Sequence, residues 1–263
     1  MLLAAGATGC GGTGSAAPPT TTNRQMRQFR ILFPEGFTRA QMAARVGAVA
    51  KIAERDSHRK VKLSENAYAA ATAKRRRFPG FGAKKLPFEG FLFPDTYDFD
   101  RKSTSAQLVG NQLAEFTSRW SELNLSYARS KNLTPYDVLT IASMVEGEAQ
   151  VPSERPLVAA VIYNRLHAHM PLGIDATLRY GLHVPPTQSL TQSELHNPTP
   201  YNTRMHDGLP PTPINNPGMA SLQAAAHPAQ VDYLYFVRKP DHRHHYFTSN
   251  YQDFLRHEAA YGY

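Results

Sequence analysis

The feature that constrains the fold most is a pair of consecutive apolar helices, predicted over residues 135–149 and 153–168. Thr134 can cap the first helix, and Asp137 stands three residues later, where its carboxylate completes a capping box. Ser153 is the predicted cap of the second helix. Because both helices carry apolar residues at helical spacing, each needs a packing partner, and the pair predicts the centre of a hydrophobic core.

The first helix carries an acidic residue where its apolar stripe predicts an aliphatic one. Val138, Ile141, Val145 and Glu148 follow one another at steps of three or four, so they share one face. Glu146 lies about 200° away around the axis, since each residue turns by ~100°. The two carboxylates therefore do not form the closely spaced pair that a retaining glycosidase uses.

The position of Glu148 favours an unusual protonation state. Burial at the end of an apolar stripe and the negative end of the helix dipole both raise the pKa of a carboxyl group. A glutamate held protonated near neutral pH can act as a general acid. Gly147 puts no side chain between the two acids, which would let a bulky substrate approach. Spacing alone leaves open the alternative that the helix end frays and both acids are solvated.

Short strands and further helices surround this pair, which predicts an α+β fold. Thr38 and Gln41 form a capping box at the start of an N-terminal helix. The other predicted elements are a strand at residues 29–33, an edge strand or extended loop at 89–99, a helix at 104–129, a short helix at 221–229 and a strand hairpin at 232–250. The long loops after residue 170 favour a functional role.

The net charge of +8 and the pI of about 9.6 indicate an anionic partner or a solvated basic surface. A dense run of positive charge lies at residues 74–85, KRRRFPGFGAKK. This run predicts either an exposed loop or a contact with an anionic polymer or lipid headgroups. The sequence contains no aromatic-rich basic motif of a nucleic-acid-binding module, so nucleic acid is disfavoured as a partner.

Residues 1–27 are rich in Gly, Ala and Thr and predict a disordered linker. The single cysteine, Cys10, excludes a disulfide within the chain. The first ten residues resemble a lipoprotein signal with Cys10 as acceptor, but the missing positive n-region and short apolar stretch favour a truncated or mis-set start. No apolar run approaches the ~18–20 residues needed to span a bilayer.

Five segments, occurring in order, resemble the YceG-like family of endolytic murein transglycosylases. The resemblance covers roughly residues 28–257, and because five segments match, no single one carries it. The segments are EGFLFPDTYDF (89–99), LTPYDVLTIASMVEGEAQVPSERPLVAAVIYNRL (133–166), MPLGIDATLRYGL (170–182), TPYNTRMHDGLPPTPINNPG (199–218) and SLQAAAHPAQVDYLYFV (221–237).

The resemblance implies cleavage of nascent peptidoglycan strands between MurNAc and GlcNAc, without water and without a cofactor. The product of such a reaction ends in 1,6-anhydro-MurNAc, which terminates the strand. The family's catalytic residue, the second glutamate of an E-x-E, falls on Glu148. The first glutamate falls on Glu146, which is expected to orient the second or the sugar. One acid is enough because the C6 hydroxyl of the substrate is the nucleophile.

Further site residues follow from the resemblance, position by position. The supporting residues are Glu154, Asn164, Arg165 and Asp175, and the expected substrate contacts are Tyr180, Tyr201, Asn202 and His245. Asn164 and Arg165 are expected to hold the helix pair or the acid. A purely structural hydrogen bond stays an alternative for each of these residues. The histidines at 242, 244 and 245 are too tightly spaced for a metal site, so no metal is expected.

The family pattern also predicts domains and location. Relatives carry a membrane-spanning helix, a LysM-like unit and a catalytic domain. Here the resemblance predicts a partial LysM-like unit with a basic connecting loop at residues 28–87 and a catalytic domain at 88–263. It also predicts a place at the outer face of the cytoplasmic membrane, with peptidoglycan and cell-wall synthases as partners. The D-x-T element reads DAT at residues 175–177, where proline is usual in the middle.

Two other functions stay open. A hydrolytic muramidase, with water as the nucleophile, needs a second carboxylate across the groove, for which Asp175 and Glu154 are candidates. A non-catalytic scaffold that binds peptidoglycan would be unaffected by Glu148→Gln. The label of aminodeoxychorismate lyase, which some family members have carried, is disfavoured. That chemistry uses pyridoxal phosphate held on a lysine, and no lysine lies in the two motif-bearing helices.

Overall fold

The computed structural model describes residues 28–262 and combines helices with two small antiparallel sheets, in agreement with the predicted α+β class. The linker predicted for residues 1–27 lies outside the described residues. In chain order, the elements are β1 (Phe29–Leu32), α1 (Arg39–Ser57), α2 (Glu65–Ala73), β2 (Thr96–Phe99), α3 (Ser105–Ser121), α4 (Ser126–Ser130), α5 (Pro135–Glu148), α6 (Arg155–His167), α7 (Asp175–Leu182), α8 (Gln192–Leu195), α9 (Met219–Ala226), β3 (Tyr235–Arg238), β4 (His245–Thr248) and α10 (Tyr251–Tyr261).

The capping signals mark two helix starts correctly. The hydroxyls of Thr38 and Thr134 each accept a hydrogen bond from the backbone N–H three residues later. The side chains of Gln41 and Asp137 accept the return bonds, so both predicted capping boxes are confirmed. Helix α5 then ends at Glu148, the acid that the apolar stripe singled out.

Two predicted helix limits are wrong. The helix expected over residues 104–129 is broken into α3 and α4. At the break, Asn124 Oδ1 accepts a hydrogen bond from the N–H of Ser126, a local bond that competes with helix continuation. Ser153 does not cap α6, because it lies inside a 3₁₀ turn that leads directly into Arg155 without a side-chain cap.

Each sheet is a pair of antiparallel strands. β1 pairs with β2, with Phe29 opposite Phe99 and Leu32 opposite Thr96, so the segment predicted as an edge strand or a loop contains a strand. β3 pairs with β4, which confirms the predicted hairpin. The β1–β2 pairing joins strands on both sides of residue 87, the predicted domain boundary. That boundary stays a prediction.

Asn216 joins the N-terminal elements to the helical core. Its buried amide donates to the backbone carbonyl of Phe37, and its Oδ1 accepts from the N–H groups of Gly90 and Leu92, each at 2.9 Å. These bonds fix the loop before α1 against the segment before β2. Both belong to one hydrophobic core with α5 and α6, and a separate LysM-like unit is not confirmed. None of the described helices is long and apolar enough to cross a membrane.

Candidate active site

A cleft of about 1290 Å³ opens beside the C-terminal end of α5. Its walls come from that helix end, the start of α7, the loop before α1 and the β3–β4 hairpin. The cleft exceeds the ~300–1,000 Å³ of ordinary small-molecule sites, which suits an extended polymer. The polar side chains that line it include Glu146, Glu148, Asp175, Tyr180, Arg238 and His245.

The apolar stripe of α5 carries Glu148 into this cleft. Val138, Ile141 and Val145 are fully buried, and Glu148 is only 8% exposed. The backbone N–H of Ala176, in the first turn of α7, donates to Glu148 Oε1 at 3.2 Å. The acid is therefore an ordered part of the interior whose carboxyl group reaches the cleft, and the alternative of a frayed, solvated helix end does not hold.

Burial controls the protonation of Glu148. Desolvation raises the pKa of its carboxyl group, and the charge of Asp175 adds to the rise. The hydrogen bond from Ala176 and the charges of Arg238 and His245 oppose it, but the pKa stays above its ordinary value. Arg238 Nη2 lies 3.9 Å from Glu148 Oε2, where it can balance the carboxylate once that forms. A carboxyl group of this kind can donate a proton to a bound ligand.

Gly147 lets two helices approach each other closely. A Cβ atom at this position would lie 3.0 Å from the Cβ of Ala176, closer than ordinary van der Waals contact. The missing side chain lets the start of α7 approach the end of α5, which brings the Ala176 N–H to Glu148. Gly147 also lines the cleft, and its role in admitting a bulky substrate stays a prediction.

Glu146 belongs to a different polar network from Glu148. Its Oε2 accepts from the N–H of Gly218 at 3.0 Å, and its Oε1 lies 3.6 Å from Nη2 of Arg155. Burial and the charge of Glu146 raise the pKa of Glu35, which lies on the loop before α1. The two glutamates of the E-x-E thus have separate partners, as their positions around the helix predict.

Glu154 and His245 form a buried pair at the edge of the cleft. Glu154 Oε1 accepts from the N–H of His245 at 3.0 Å, and Glu154 Oε2 lies 2.8 Å from His245 Nδ1. His245 lines the cleft, whereas Glu154 is not among the described residues of its walls. The double contact fixes the imidazole ring at the edge of the cleft through its Nδ1 atom.

Glu89 is a second buried carboxyl group that lines the cleft, and no role was predicted for it. Its Oε1 accepts from the N–H of Arg39 at 2.8 Å and from the Asn216 amide at 2.9 Å, and its Oε2 accepts from the Tyr180 hydroxyl at 3.1 Å. Burial raises the pKa of Glu89 to about 7. Tyr180, a predicted substrate contact, does line the cleft, with its hydroxyl held by Glu89.

Asn164 and Arg165 anchor the chain that leads into β3. The Asn164 amide donates to the carbonyls of Val231 and Tyr233, each at 2.9 Å, and Arg165 Nε donates to the carbonyl of Leu234 at 2.6 Å. Arg165 also lines the cleft. Neither side chain bonds the acid at the end of α5, so the expectation that they hold it is not supported. They hold the β3–β4 hairpin, which carries Arg238 beside Glu148.

Tyr201 and Asn202 are not among the described residues of the cleft walls, and their contact with substrate stays a prediction. Asn202 is fully buried, and its amide donates to the carbonyls of Leu195 and Asn197. The Tyr201 hydroxyl lies 2.8 Å from that of Thr212. The residue types suited a sugar, but the direction of a loop side chain depends on tertiary contacts that sequence does not display.

Two charged groups complete the cleft. Asp175 begins α7, and its Oδ1 lies 2.6 Å from Nη2 of Arg204. Arg238, on β3, brings positive charge to Glu148 but was not predicted as a site residue. Its strand was predicted correctly, and the hairpin register then decides which side chain reaches the acid. No local signal separated Arg238 from the other arginines.

A family model described as the YceG-like family matches residues 16–260, nearly the whole chain. The chain belongs to the YceG-like family. An endolytic murein transglycosylase of Bacillus subtilis is 39% identical over 157 residues, which are 59% of this chain and 43% of that relative. An endolytic murein transglycosylase of Streptococcus pneumoniae strain R6 is 33% identical over 176 residues, 65% of this chain and 32% of that relative.

A solved structure supports the fold of this YceG-like chain. The crystal structure of a YceG-like protein from Listeria monocytogenes is 28% identical and superimposes with a TM-score of 0.67, covering 86% of this chain and 75% of that one. The described architecture is therefore an established YceG-like fold. The chain spans less than half the length of the two curated relatives, 43% and 32%.

Proposed function

We propose that this YceG-like chain is a lytic transglycosylase that cleaves peptidoglycan glycan strands, with Glu148 as its catalytic acid. The observation that carries the proposal is that one buried carboxyl group of raised pKa faces a long cleft with a cation 3.9 Å away. The names of the two curated relatives support the substrate class. No metal or cofactor enters the proposed reaction.

In the proposed reaction, Glu148 donates its proton to the glycosidic oxygen between C1 of MurNAc and C4 of GlcNAc, and the bond from C1 to that oxygen breaks. The C6 hydroxyl oxygen of the same MurNAc then bonds to C1, and its proton passes to the Glu148 carboxylate. The acid is restored, and the strand ends in 1,6-anhydro-MurNAc. Intramolecular attack needs no bound water and gains from the high effective concentration of the hydroxyl.

The surrounding groups serve the two states of the acid. Burial keeps Glu148 protonated before the reaction, and the Ala176 N–H with Arg238 stabilises the carboxylate that exists between the two proton transfers. We assign His245, held by Glu154, to binding the sugar beside the acid. Asp175, Tyr180 and Arg165 complete the walls that receive the strand. Glu146 fixes the geometry of the α5 end rather than reacting.

The proposed place of action is the cell envelope, at the outer face of the cytoplasmic membrane, where nascent strands are made. Cleavage there would release strands from elongation and would bring the enzyme near cell-wall synthases. The division into a partial LysM-like unit at residues 28–87 and a catalytic domain at 88–263 stays part of this proposal. The positive net charge of +8 suits an acidic polymer as substrate.

The experiment that tests the proposal is digestion of purified, uncrosslinked glycan strands followed by mass spectrometry of the new ends. A lytic transglycosylase leaves ends that lack one water relative to hydrolysed ends. Hydrolysed ends would instead identify a muramidase, a function that the position of Asp175 in the cleft makes the second candidate. Binding of strands without any new ends would identify a non-catalytic scaffold.

A further inference from the structure

A second cavity lies beneath the basic loop, which we define as residues 74–85. Its volume is about 300 Å³, and none of its lining residues lines the cleft. Phe78 and Phe81 contribute walls from the loop, and Phe116 and Trp120 contribute walls from α3. The proposed reaction does not use this cavity, so its apolar walls beside a charged loop need a separate account.

The basic loop is braced by the core. Arg76 and Leu86 exchange two backbone hydrogen bonds, at 3.0 and 2.8 Å, which close the loop at its base. Phe78 stacks on Phe91 with ring centroids 3.7 Å apart, and Phe81 packs edge-on against the same ring at 4.8 Å. The loop therefore presents its outer surface in a fixed position.

The outer surface of the loop is strongly cationic. The exposed charged residues are Lys74, Arg75, Arg76, Arg77, Lys84 and Lys85, and residues 74–85 include no acid. Within residues 28–262, none of the six forms an ion pair. Unpaired cations beside an aromatic cavity are complementary to a ligand with an anionic head and an apolar chain.

We propose that the basic loop and the cavity beneath it dock on an anionic lipid surface. The cations bind lipid headgroups, and an apolar chain enters between the aromatic rings. Trp120 suits this place because tryptophan favours the membrane interface. A nucleic acid could use the charges, but it has no apolar chain to fill the cavity that Phe78 and Phe81 line.

Docking at this loop would also set the distance between the cleft and the membrane. Phe88 packs against Phe78 with ring centroids 5.6 Å apart, and the next residue is Glu89, which lines the cleft. The docked surface and the cleft are thus joined through one short, buried segment. This contact with lipid is independent of any membrane-spanning helix.

The test uses vesicles of phosphatidylglycerol and phosphatidylcholine, with pure phosphatidylcholine vesicles for comparison. Trp120 is the only tryptophan of the chain and lines the cavity, so its fluorescence reports occupancy directly. We expect binding to the anionic vesicles, a blue shift of Trp120 emission, and loss of both in high salt. Binding without any change at Trp120 would overturn the proposal, because the cavity would then be empty.

Matched charge variants separate a site from general attraction. Each cation near an anionic leaflet contributes roughly fivefold to binding. Changing Arg75, Arg77, Lys84 and Lys85 to Gln should therefore weaken vesicle binding by at least ~20-fold. The control removes four exposed cations elsewhere, at Lys51, Arg59, Arg101 and Arg129, and should change it by less than ~3-fold. Equal losses in both variants would show that only net charge matters and would contradict the proposal.

Gly110 allows a test of the cavity itself. It lines the cavity from α3, and a Cβ atom there would meet no other atom within 4 Å. Gly110→Glu should abolish the Trp120 shift by placing a carboxylate at the cavity wall, whereas Gly110→Gln, of equal size, should retain it. If both variants behave like the wild type, or if a soluble polyanion binds as tightly as the vesicles, the proposed lipid site is wrong.

Discussion

The backbone N–H of Ala176, in the first turn of α7, donates a 3.2 Å hydrogen bond to Oε1 of Glu148. Proline has no N–H, so it cannot make this bond. Gly147 favours the approach, since a Cβ atom there would lie only 3.0 Å from the Cβ of Ala176. The bond favours the carboxylate and holds the pKa of Glu148 below the value that burial alone would impose.

Replacing Ala176 by proline should therefore raise the pKa of Glu148. Cleavage requires the protonated acid in the free enzyme, so activity is lost as pH rises through that pKa. We expect the alkaline limb of the kcat/KM profile to move to higher pH in Ala176→Pro. Ala176→Gly keeps the N–H and should leave the limb in place. If the alkaline limb stays in place in Ala176→Pro, the hydrogen bond has no role in setting the pKa of Glu148.

The pairing of Glu154 with His245 predicts a positioning effect. Glu154→Gln keeps the size of the side chain but replaces a charge-assisted bond to His245 Nδ1 by a weaker one. If the imidazole orients the sugar, kcat/KM should fall roughly ten- to hundredfold. Unchanged kinetics in a variant that keeps the wild-type Tm would assign the pair to structure alone.

Glu89 predicts a pH dependence of folding stability. Its pKa is about 7 in the folded protein against an ordinary 4.5, so the native state binds the extra proton between those values. The neutral form contributes to the free energy of unfolding in full below pH 4.5. That contribution is lost as pH rises toward 7, a decrease on the order of 3 kcal/mol. Glu89→Gln should remove that slope.

The measurement for Glu89 is urea unfolding of both proteins at pH 5 and pH 8. We expect the variant to gain stability over the wild type at pH 8 relative to pH 5. Other buried acids are present in both proteins, so their contributions cancel in the comparison. The same difference in unfolding free energy at both pH values would show that Glu89 titrates normally.

Gly90 predicts a localised packing defect. Its φ of +90° favours glycine, and a Cβ atom would lie 2.7 Å from Cγ of Pro213. Gly90→Ala should destabilise the protein by about 2–4 kcal/mol through backbone strain and overpacking. Gly110→Ala is the matched control, because it lies in a helix with open space and should be neutral or stabilising by up to about 1 kcal/mol. Equal Tm values for the two variants would contradict this account of Gly90.

The sequence was informative where local chemistry decides the structure. Capping residues such as Thr134 fixed the start of α5, and the apolar stripe led directly to Glu148. The sequence predicts loops where the short helices α7 and α8 form, because helices of eight residues or fewer depend on tertiary contacts more than on their own propensity. The approach of α7 to Gly147 is a tertiary contact that no local pattern predicts.

Long-range contacts account for the part of the site that was missed. The partners of Glu89 lie 50, 91 and 127 residues away, at Arg39, Tyr180 and Asn216. Nothing near Glu89 in sequence distinguishes it from a surface acid. Asn202 is the opposite case, because its amide suits a sugar ligand but the fold buries the side chain completely. Residue type identified the chemistry, and only the fold could tell which side chains face the cleft.

The central claim is that the buried acid at the end of α5 breaks the glycan strand. The direct measurement compares wild type with Glu148→Gln on purified, uncrosslinked strands, counting 1,6-anhydro-MurNAc ends by mass spectrometry. Gln can still accept the N–H of Ala176, so Tm should stay within a few degrees of wild type. The account predicts a rate loss of roughly 10²–10⁴-fold or more. Anhydro ends formed by Glu148→Gln at the wild-type rate would contradict it.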